Sequence, residues 1–192
     1  KVLSLFFIDR VANYRSYDGD GNPVKGKYAL MFEEEYTAAI RSGKYDDLFK
    51  GVDLETAADG VHNGYFAIDK KKDSSGQGRF KESKGDGNTV SDGSAYELIM
   101  KDKEKLLSFS SSLKFIFSHL ALREGWDNPN VFQICTLNET TSVMKKRQEI
   151  GRGLRICVNQ NGDRVRDDGV NVLTIVANES YDDFARTLQE EI

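Results

Sequence analysis

The sequence predicts a three-layer α/β domain built on a mostly parallel sheet. Apolar runs of strand length alternate with stretches whose apolar residues recur at helical spacing, and this alternation is typical of strand–helix–strand units. The chain has 192 residues, 39% of them hydrophobic, which is enough for one domain with a substantial core. It contains no internal repeat, and no apolar segment approaches the length that spans a membrane. We therefore expect a single domain over residues 1–192.

In the first half of the chain, the apolar pattern predicts two strands, two helices and one polar insertion. The strands are residues 2–8, which we expect to be buried, and the short GYFAID segment, residues 64–69. The helices are residues 29–43 and 95–109. Residues 70–92 are rich in Lys, Gly, Ser and Asp and lack an apolar period, so they predict a mobile polar surface loop or hairpin.

In the second half, two apolar runs, KFIFS (114–118) and VFQICTL (131–137), predict buried parallel strands. Ser142 or Thr141 can cap a helix over VMKKRQEIGRGLR, residues 143–155. The remaining predicted elements are a β-hairpin over 155–167 that turns at Asn161-Gly162, a buried strand over 170–177 and a helix over 180–192 capped by Ser180.

The helix in VMKKRQEIGRGLR has an apolar side that we expect to face the core. At about 100° per residue, Val143, Ile150 and Leu154 fall within one narrow arc. Gly151 and Gly153 lie in the same stretch, where each glycine costs a helix about 1 kcal/mol relative to alanine. Glycines retained at this cost indicate close backbone approach to another surface.

The polar side of this helix carries Gln148, Arg152 and Arg155 at positions i, i+4 and i+7. These side chains suit a polyanion, because a guanidinium stays charged, forks onto phosphate oxygens and can neutralise charge that develops in phosphoryl transfer. A solvated basic helix face is the alternative. The net charge of -4 excludes a global basic field, so nucleic-acid binding would need a local patch, for which residues 145–155 are the best candidate.

A short loop, Gly125-Trp126-Asp127, separates the two central strands. Ligands of open α/β sheets gather at the carboxyl ends of the strands, so we expect chemistry in this loop and at Ser118, where the first of these strands ends. An ordinary turn made by the Asp-Asn-Pro sequence is the alternative.

Three other patterns resemble known binding or catalytic sites, but each lacks a required feature. Residues 21–27 have the spacing of a phosphate-binding loop, but a tyrosine follows where Ser or Thr should bind magnesium. A calcium-loop pattern that begins at Asp18 lacks its turn glycine and its glutamate. Asp69 with Glu82-Ser83-Lys84 outlines a nuclease site that no rigid segment supports. The two cysteines have no metal-ligand spacing, so the sequence predicts no metal site.

The order of the central pieces resembles a known pattern. A strand ending in Ser, then ALREGWDNP, a second strand and QEIGRGLR resemble motifs V and VI of superfamily 2 helicases, a Gly-x-Asp loop followed by Gln-x-x-Gly-Arg-x-x-Arg. The segments FIFSHLALREGWDNPNVFQICTLNET and KKRQEIGRGLR together resemble the Res (restriction and translocation) subunit of type III restriction-modification enzymes. The opening VLSLFFIDRVANYR is similar to the start of that family's second RecA-like domain.

This resemblance implies a RecA-like domain, of the P-loop NTPase type, that is one half of an ATP-driven motor. In the family, ATP sits between two RecA-like domains, and the first domain supplies the phosphate loop and the carboxylates that hold Mg²⁺. Gln148, Arg152 and Arg155 are thereby implied to be catalytic, with Arg152 or Arg155 as the arginine finger. Neither ATP nor Mg²⁺ is expected to bind this chain alone.

The resemblance also assigns roles to the remaining motif residues. Gly125, Asp127 and Gly151 are implied to bind the nucleotide; for Gly125 and Asp127 the alternative is a place in the network that couples the nucleotide to DNA. Ser118 is implied to contact the DNA backbone, and Arg123 is a weaker candidate for the same surface.

The chain is expected to be a fragment of a larger polypeptide in the bacterial cytoplasm. The expected partners are double-stranded DNA, the first RecA-like domain of the same chain and the methyltransferase (Mod) subunit, with no membrane. The parent is expected to be an ATP-dependent helicase and endonuclease, and the fragment to be inactive alone. Two alternatives remain: a degenerate motor half that docks DNA or protein without turnover, and the second motor domain of another superfamily 2 helicase.

Overall fold

The computed structural model describes residues 1–44, 57–74, 76, 78–81, 99, 103–119, 128–139, 142–177 and 179–190. Its centre is a five-stranded sheet in which each neighbouring pair of strands is parallel. From one edge to the other, the strands are β4 (His62–Tyr65), β7 (Phe115–Ser118), β1 (Leu3–Phe7), β8 (Val131–Thr136) and β9 (Thr174–Val176). The parallel sheet predicted from the sequence is therefore confirmed.

The register of the sheet brings the carboxyl ends of the central strands to one level. Phe7 of β1 pairs with Ser118 of β7 on one side and with Thr136 of β8 on the other. The backbone continues this pattern, because Ile8 N–H donates to Ser118 O at 2.9 Å and Leu137 N–H donates to Phe7 O at 2.7 Å. We call this end of the sheet, from Phe7, Ser118 and Thr136 onward, the carboxyl edge.

Apolar side chains leave both faces of the sheet, and helices cover each face. Along β1, side chains alternate between the faces, so Leu3 and Leu5 point one way and Phe6 the other. Beneath α1 (Lys27–Arg41) the buried cluster is Ile8, Val11, Tyr14, Ala29, Phe66 and Phe117. On the side of α2 (Lys103–Leu107) it is Leu3, Leu5, Phe7, Tyr65, Ile99, Leu106, Leu113, Ile116, Val131 and Ile134. These three layers confirm the predicted α/β, RecA-like architecture.

Helix α1 agrees closely with its predicted span. It ends at Arg41, and Gly43 follows with a φ of 66°, a left-handed conformation that favours glycine. Helix α2 lies inside the helix predicted over 95–109, of which residues 95–98 and 100–102 fall outside the described part of the chain. None of the helices in the described ranges is long and apolar enough to cross a membrane.

A first antiparallel hairpin joins β2 (Arg15–Tyr17) to β3 (Pro23–Lys25). Residues 23–25, the middle of the segment with phosphate-loop spacing, thus form a strand. The Asp18 carboxylate closes the turn, because its Oδ1 accepts the N–H groups of Asp20 and Asn22 at 3.0 and 2.7 Å. The Asp18 carboxylate is therefore bonded to backbone groups within its own turn.

A second hairpin, β5 (Ala67–Lys72) with β6 (Gly78–Lys81), occupies the described part of the predicted polar insertion. The prediction of one strand over 64–69 is therefore wrong, since β4 ends at Tyr65 and β5 belongs to a separate sheet. The reason is Phe66, which is buried in the α1-side cluster and takes the chain out of the parallel sheet. Glu82-Ser83-Lys84 lies outside the described residues.

The third helix, α3 (Val143–Gly151), is shorter than the predicted span of 143–155. Ser142 caps it as predicted, and its Oγ accepts Lys145 N–H at 3.3 Å. Past Gly151 the backbone tightens, because Arg152 and Gly153 donate to carbonyls three residues back rather than four. The helix therefore ends before Leu154 and Arg155.

The predicted apolar arc of this helix is correct only at Ile150, which is buried. Val143 is exposed, and Leu154 is exposed because helical geometry no longer sets its direction beyond Gly151. The inner face of α3 instead buries Lys146 and Glu149 beside Ile150.

The strand predicted over 170–177 is confirmed only over the three residues of β9, and the prediction that it is buried is wrong. Because β9 forms one edge of the sheet and pairs only with β8 among the described strands, Val172 and Val176 are exposed. The last helix, α4 (Glu179–Glu190), includes Ser180, so Ser180 is not its cap.

The hairpin predicted over 155–167 is reduced to a single bridge between Val158 and Arg164. The turn itself lies where the Asn-Gly sequence predicts it, and Gly162 has a φ of 85°. Asn159 Oδ1 accepts the N–H groups of Asn161 and Asp163, so side-chain bonds replace part of the ladder.

Candidate functional site

The residues predicted to meet phosphate lie around the carboxyl-terminal end of α3. At 100° per residue, Met144, Arg147, Gln148 and Gly151 lie on the side of the helix opposite its buried residues, which are Lys146, Glu149 and Ile150. Met144 is 71% exposed, and Arg147 and Gln148 are exposed as well. We call these four residues the outer face of α3.

The two glycines near this end have different surroundings. A Cβ on Gly153 would lie 2.4 Å from Leu173 Cδ1 and 3.3 Å from Ile134 Cδ1, so the predicted close approach is observed there. A Cβ on Gly151 would meet nothing within 4 Å. Gly151 is therefore not required by packing among the described residues, although it lies at the centre of the outer face.

The predicted grouping of Gln148, Arg152 and Arg155 on one helix face is wrong for Arg155. Arg152 is half-buried at the C-cap of α3, and its N–H donates to Glu149 O at 3.3 Å. Arg155 is exposed beyond the helix, where its Nη1 donates to Leu154 O at 3.1 Å. Gln148 and Arg152 thus remain one turn apart, while Arg155 lies beyond the end of the helix.

The inner face of α3 is tied to the carboxyl edge by a buried polar contact. Asn138, two residues after β8, donates from Nδ2 to Glu149 Oε1 at 3.4 Å. Both residues are almost fully buried, Asn138 with 6% and Glu149 with 5% of its surface exposed. One turn before Glu149, the Lys146 ammonium lies 5.7 Å from the centre of the Phe184 ring of α4. The helix that carries Arg152 is therefore held by polar groups on its core side.

Two buried hydroxyls flank the end of β1 at the carboxyl edge. Ser118 is fully buried and Thr136 nearly so, and within the described structure neither Oγ of Ser118 nor Oγ1 of Thr136 has a hydrogen-bond partner. Both pair in register with Phe7, so they lie two strand spacings apart, about 10 Å. The edge where ligands of parallel sheets gather thus holds unused hydrogen-bonding capacity.

The other predicted site residues, Gly125, Asp127 and Arg123, lie outside the described residues. Their assignments remain predictions. In the parts of the chain that are described, no three His, Cys, Asp or Glu side chains come together in a way that could hold a metal ion.

Asn130 is a buried structural residue that sequence reasoning missed. Its Nδ2 donates to Lys1 O at 3.1 Å and to Val158 O at 2.9 Å, and its Oδ1 accepts Val158 N–H at 2.9 Å. It therefore joins the start of the chain, the start of β8 and the segment after α3. The only available signal is the Asn-Pro-Asn sequence immediately before the strand.

A second missed cluster lies at the amino end of the sheet, away from the carboxyl edge. Tyr14 Oη lies 2.9 Å from His62 Nδ1, His62 Nε2 lies 3.1 Å from Glu33 Oε1, and Lys25 Nζ lies 2.7 Å from the same oxygen. Burial lowers the pKa of His62, although the Glu33 carboxylate opposes this effect. Burial alone would raise the pKa of Glu33, but hydrogen bonds from Lys25 and His62 bring it below its ordinary value.

Comparison with known proteins identifies relatives of one kind. No family model matches the chain. Two Res subunits of type III restriction-modification enzymes, EcoP15I from Escherichia coli and EcoPI from Escherichia phage P1, are each 40% identical over 173 residues, which cover 87% of this chain and 16% of the relative. The StyLTI Res subunit of Salmonella typhimurium is 34% identical over 210 aligned residues, which cover the whole chain and 19% of the relative.

This chain thus spans less than one fifth of the length of these relatives. The identity extends over nearly all of the chain, and the α/β sheet with the Gln-x-x-Gly-Arg-x-x-Arg sequence at the end of α3 agrees with the predicted resemblance. Over the segment that it spans, the chain is similar to the Res subunits of type III restriction-modification enzymes, and this similarity supports a fragment of such a subunit.

Proposed function

We propose that this chain is the second RecA-like domain of an ATP-driven motor in a type III restriction enzyme. ATP would bind between this domain and a first RecA-like domain of the same polypeptide, which supplies the phosphate loop and the ligands of Mg²⁺. Hydrolysis would drive movement along DNA, or a switch in the DNA-bound state, in an assembly with a methyltransferase subunit. The names of the relatives, all Res subunits of restriction-modification enzymes, support the assignment to restriction.

The outer face of α3 is the observation that carries this proposal. Gly151 costs helix stability, yet the described structure places nothing against it. A glycine in the middle of an exposed polar face gives a bound phosphate or a facing backbone room to approach closely. Gln148 and Arg152 stand beside this gap and offer an amide and a guanidinium, which both suit phosphate oxygens.

Arg152 is the better candidate than Arg155 for the arginine finger. Its backbone is held by bonds to the last turn of α3, directly after Gly151, and the residue is half-buried. A guanidinium placed in advance stabilises the charge that develops on the transferred phosphoryl group without reorganisation. Arg155, exposed beyond the helix, would contribute mainly to binding of the phosphates or of DNA.

Contact between the carboxyl edge and DNA is part of the same proposal. Ser118 ends β7 beside the segment that contains Arg123, Gly125 and Asp127. Its buried Oγ is a hydrogen-bond donor that the described structure leaves unused. We expect it to find its partner when DNA and nucleotide are bound.

The test is DNA-stimulated ATP turnover by the intact parent polypeptide, with ATP binding measured in parallel. Arg152→Ala is expected to lower kcat by about 10³-fold or more, the range of arginine fingers, while ATP binding persists. Arg166→Ala removes an exposed arginine from the segment before β9 and serves as the matched control, with turnover unchanged.

Unchanged turnover in Arg152→Ala would show that the outer face is only a solvated helix surface and would overturn the proposal. The 192-residue chain by itself is expected to hydrolyse no ATP, with or without DNA. Measurable turnover by the chain alone would contradict the proposal that two domains together form the ATP site.

A further inference from the structure

The buried face of α3 is unusually polar for a surface helix. Its inner face buries two charged residues, Lys146 with 6% and Glu149 with 5% of its surface exposed, while Val143 and Met144 face outward. Burying a carboxylate is unfavourable unless hydrogen bonds compensate, and apolar residues of similar volume often replace a whole buried ion pair without loss of stability. Packing energy therefore does not explain a glutamate at this position.

Among the described residues, Glu149 has a side-chain contact and a backbone contact that converge on the end of the helix. Its carboxylate accepts the Asn138 amide at 3.4 Å, and its backbone carbonyl accepts Arg152 N–H at 3.3 Å. Asn138 is itself fixed to the centre of the sheet, because the preceding residue, Leu137, donates to Phe7 O at 2.7 Å. One short path thus runs from the end of β1 through Asn138 and Glu149 to Arg152.

We propose that Asn138 and Glu149 are positioning residues, which fix the rotation and depth of α3 so that Gln148, Gly151 and Arg152 face the phosphates. This inference rests on the proposed function of the outer face. The Asn138–Glu149 contact lies on the side of α3 away from the outer face, so neither side chain touches the nucleotide. Its effect is on the direction of Arg152: a helix free to rotate by even a small angle would move the guanidinium away from the transferred phosphoryl group.

The experiment compares four variants of the intact parent polypeptide by kcat and KM for ATP in DNA-stimulated turnover, together with thermal unfolding. Glu149→Leu keeps the volume of the side chain and removes its acceptor. Glu149→Gln keeps an acceptor oxygen for the Asn138 amide. Arg152→Ala tests the proposed function, and Asn130→Ala lowers stability at a distance from α3.

We expect Glu149→Leu, which leaves the buried Asn138 amide without this acceptor, to lower the unfolding temperature. At temperatures where the protein is folded, it should also lose at least about tenfold in kcat, with KM changed by less than about threefold. Glu149→Gln should retain most of the turnover. Asn130→Ala should lower the unfolding temperature and leave kcat intact at temperatures where the protein is folded. A residue with a purely structural role would behave like Asn130, lowering the unfolding temperature without lowering the kcat of the folded protein.

Wild-type kcat in Glu149→Leu, with Arg152→Ala inactive, would overturn the positioning role and leave the proposed function standing. Unchanged turnover in both variants would instead remove the proposed function. If Glu149→Leu does not fold, Asn138→Ala decides, because it cuts the same contact and must lower kcat. Where Glu149→Leu and Asn138→Ala both fold, the variant that combines them should lose no more kcat than the more impaired single variant, because both substitutions remove the same contact. Additive losses of kcat would contradict the proposal.

Discussion

The Nε2 atom of His62 lies 3.1 Å from Oε1 of Glu33, and this contact joins strand β4 to helix α1. His62 is buried and packs edge-on against the rings of Tyr14, Phe32 and Phe117. Its surroundings favour the neutral imidazole, because burial lowers its pKa more than Glu33 raises it. The contact therefore makes the stability of the fold depend on pH.

We predict that the 192-residue chain loses stability as the pH falls below about 6.5, the ordinary pKa of histidine. The pKa values of His62 and Glu33 are both lower in the folded chain, so the unfolded chain binds more protons in this range. The stability that each group contributes is fully present above its pKa in the unfolded chain, and it is lost as the pH falls through its pKa in the folded chain. Midpoints of thermal unfolding, measured from pH 8 to pH 4, would show this loss of stability. In His62→Gln the loss between pH 6.5 and 5 should shrink, and an unchanged slope there would show that other groups cause it.

The two glycines at the end of α3 should respond oppositely to alanine. Gly153→Ala should destabilise the chain by about 1–2 kcal/mol, because the new methyl group would press on the packed Leu173 and Ile134 side chains. Gly151→Ala meets open space and should stabilise the chain by up to about 1 kcal/mol. Denaturant unfolding measures both effects. In the intact parent, Gly151→Ala should nevertheless lower ATP turnover, and a stabilised, fully active variant would argue against close approach at Gly151.

Asn130→Ala should be among the more damaging polar substitutions in this chain. It leaves the partly buried N–H and C=O of Val158 and the carbonyl of Lys1 without their side-chain partner. An unsatisfied buried group costs about 1–3 kcal/mol, so we expect a loss of about 2–3 kcal/mol in the free energy of unfolding. Gln189→Ala on the exposed side of α4 is the control and should change stability by less than about 0.5 kcal/mol. Equal effects of the two substitutions would contradict this role of Asn130.

The β9 edge should promote self-association of the isolated chain. Residues 170–177 carry no charge and no proline, and Val172 and Val176 are exposed, so the edge lacks the usual protection against pairing with another strand. Val176→Lys should reduce concentration-dependent association in sedimentation experiments. Val24→Lys, which places the same charge on exposed strand β3, should not. Association that is equally reduced by both would indicate a general charge effect.

The sequence was sufficient for the elements with strong apolar patterns. The buried strands β1, β7 and β8 and the amphipathic helix α1 all lie where they are predicted, since burial on these segments is visible in the residues themselves. Strand β9 shows the limit of this reasoning. An uncharged apolar run is the same in sequence whether it lies inside a sheet or at its edge, and only the neighbouring strands decide which.

The site was predictable in its composition and less so in its geometry. The motif identified Gln148, Gly151 and Arg152, but the end of α3 depends on backbone hydrogen bonds near Gly151 and Gly153 that spacing rules do not anticipate. The burial of Glu149 was also missed, because its partner Asn138 is eleven residues away along the chain and comes near only once β8 and α3 have folded.

The position of β1 has a consequence for how the chain reaches its structure. Leu5 at the centre of β1 pairs with Ile116 on one side and Ile134 on the other. Both partners are made more than a hundred residues later, so a growing chain holds its most apolar strand unpaired through much of its synthesis. Closing such long loops before any pairing is gained slows folding and lengthens the time during which an apolar strand can meet the wrong partner.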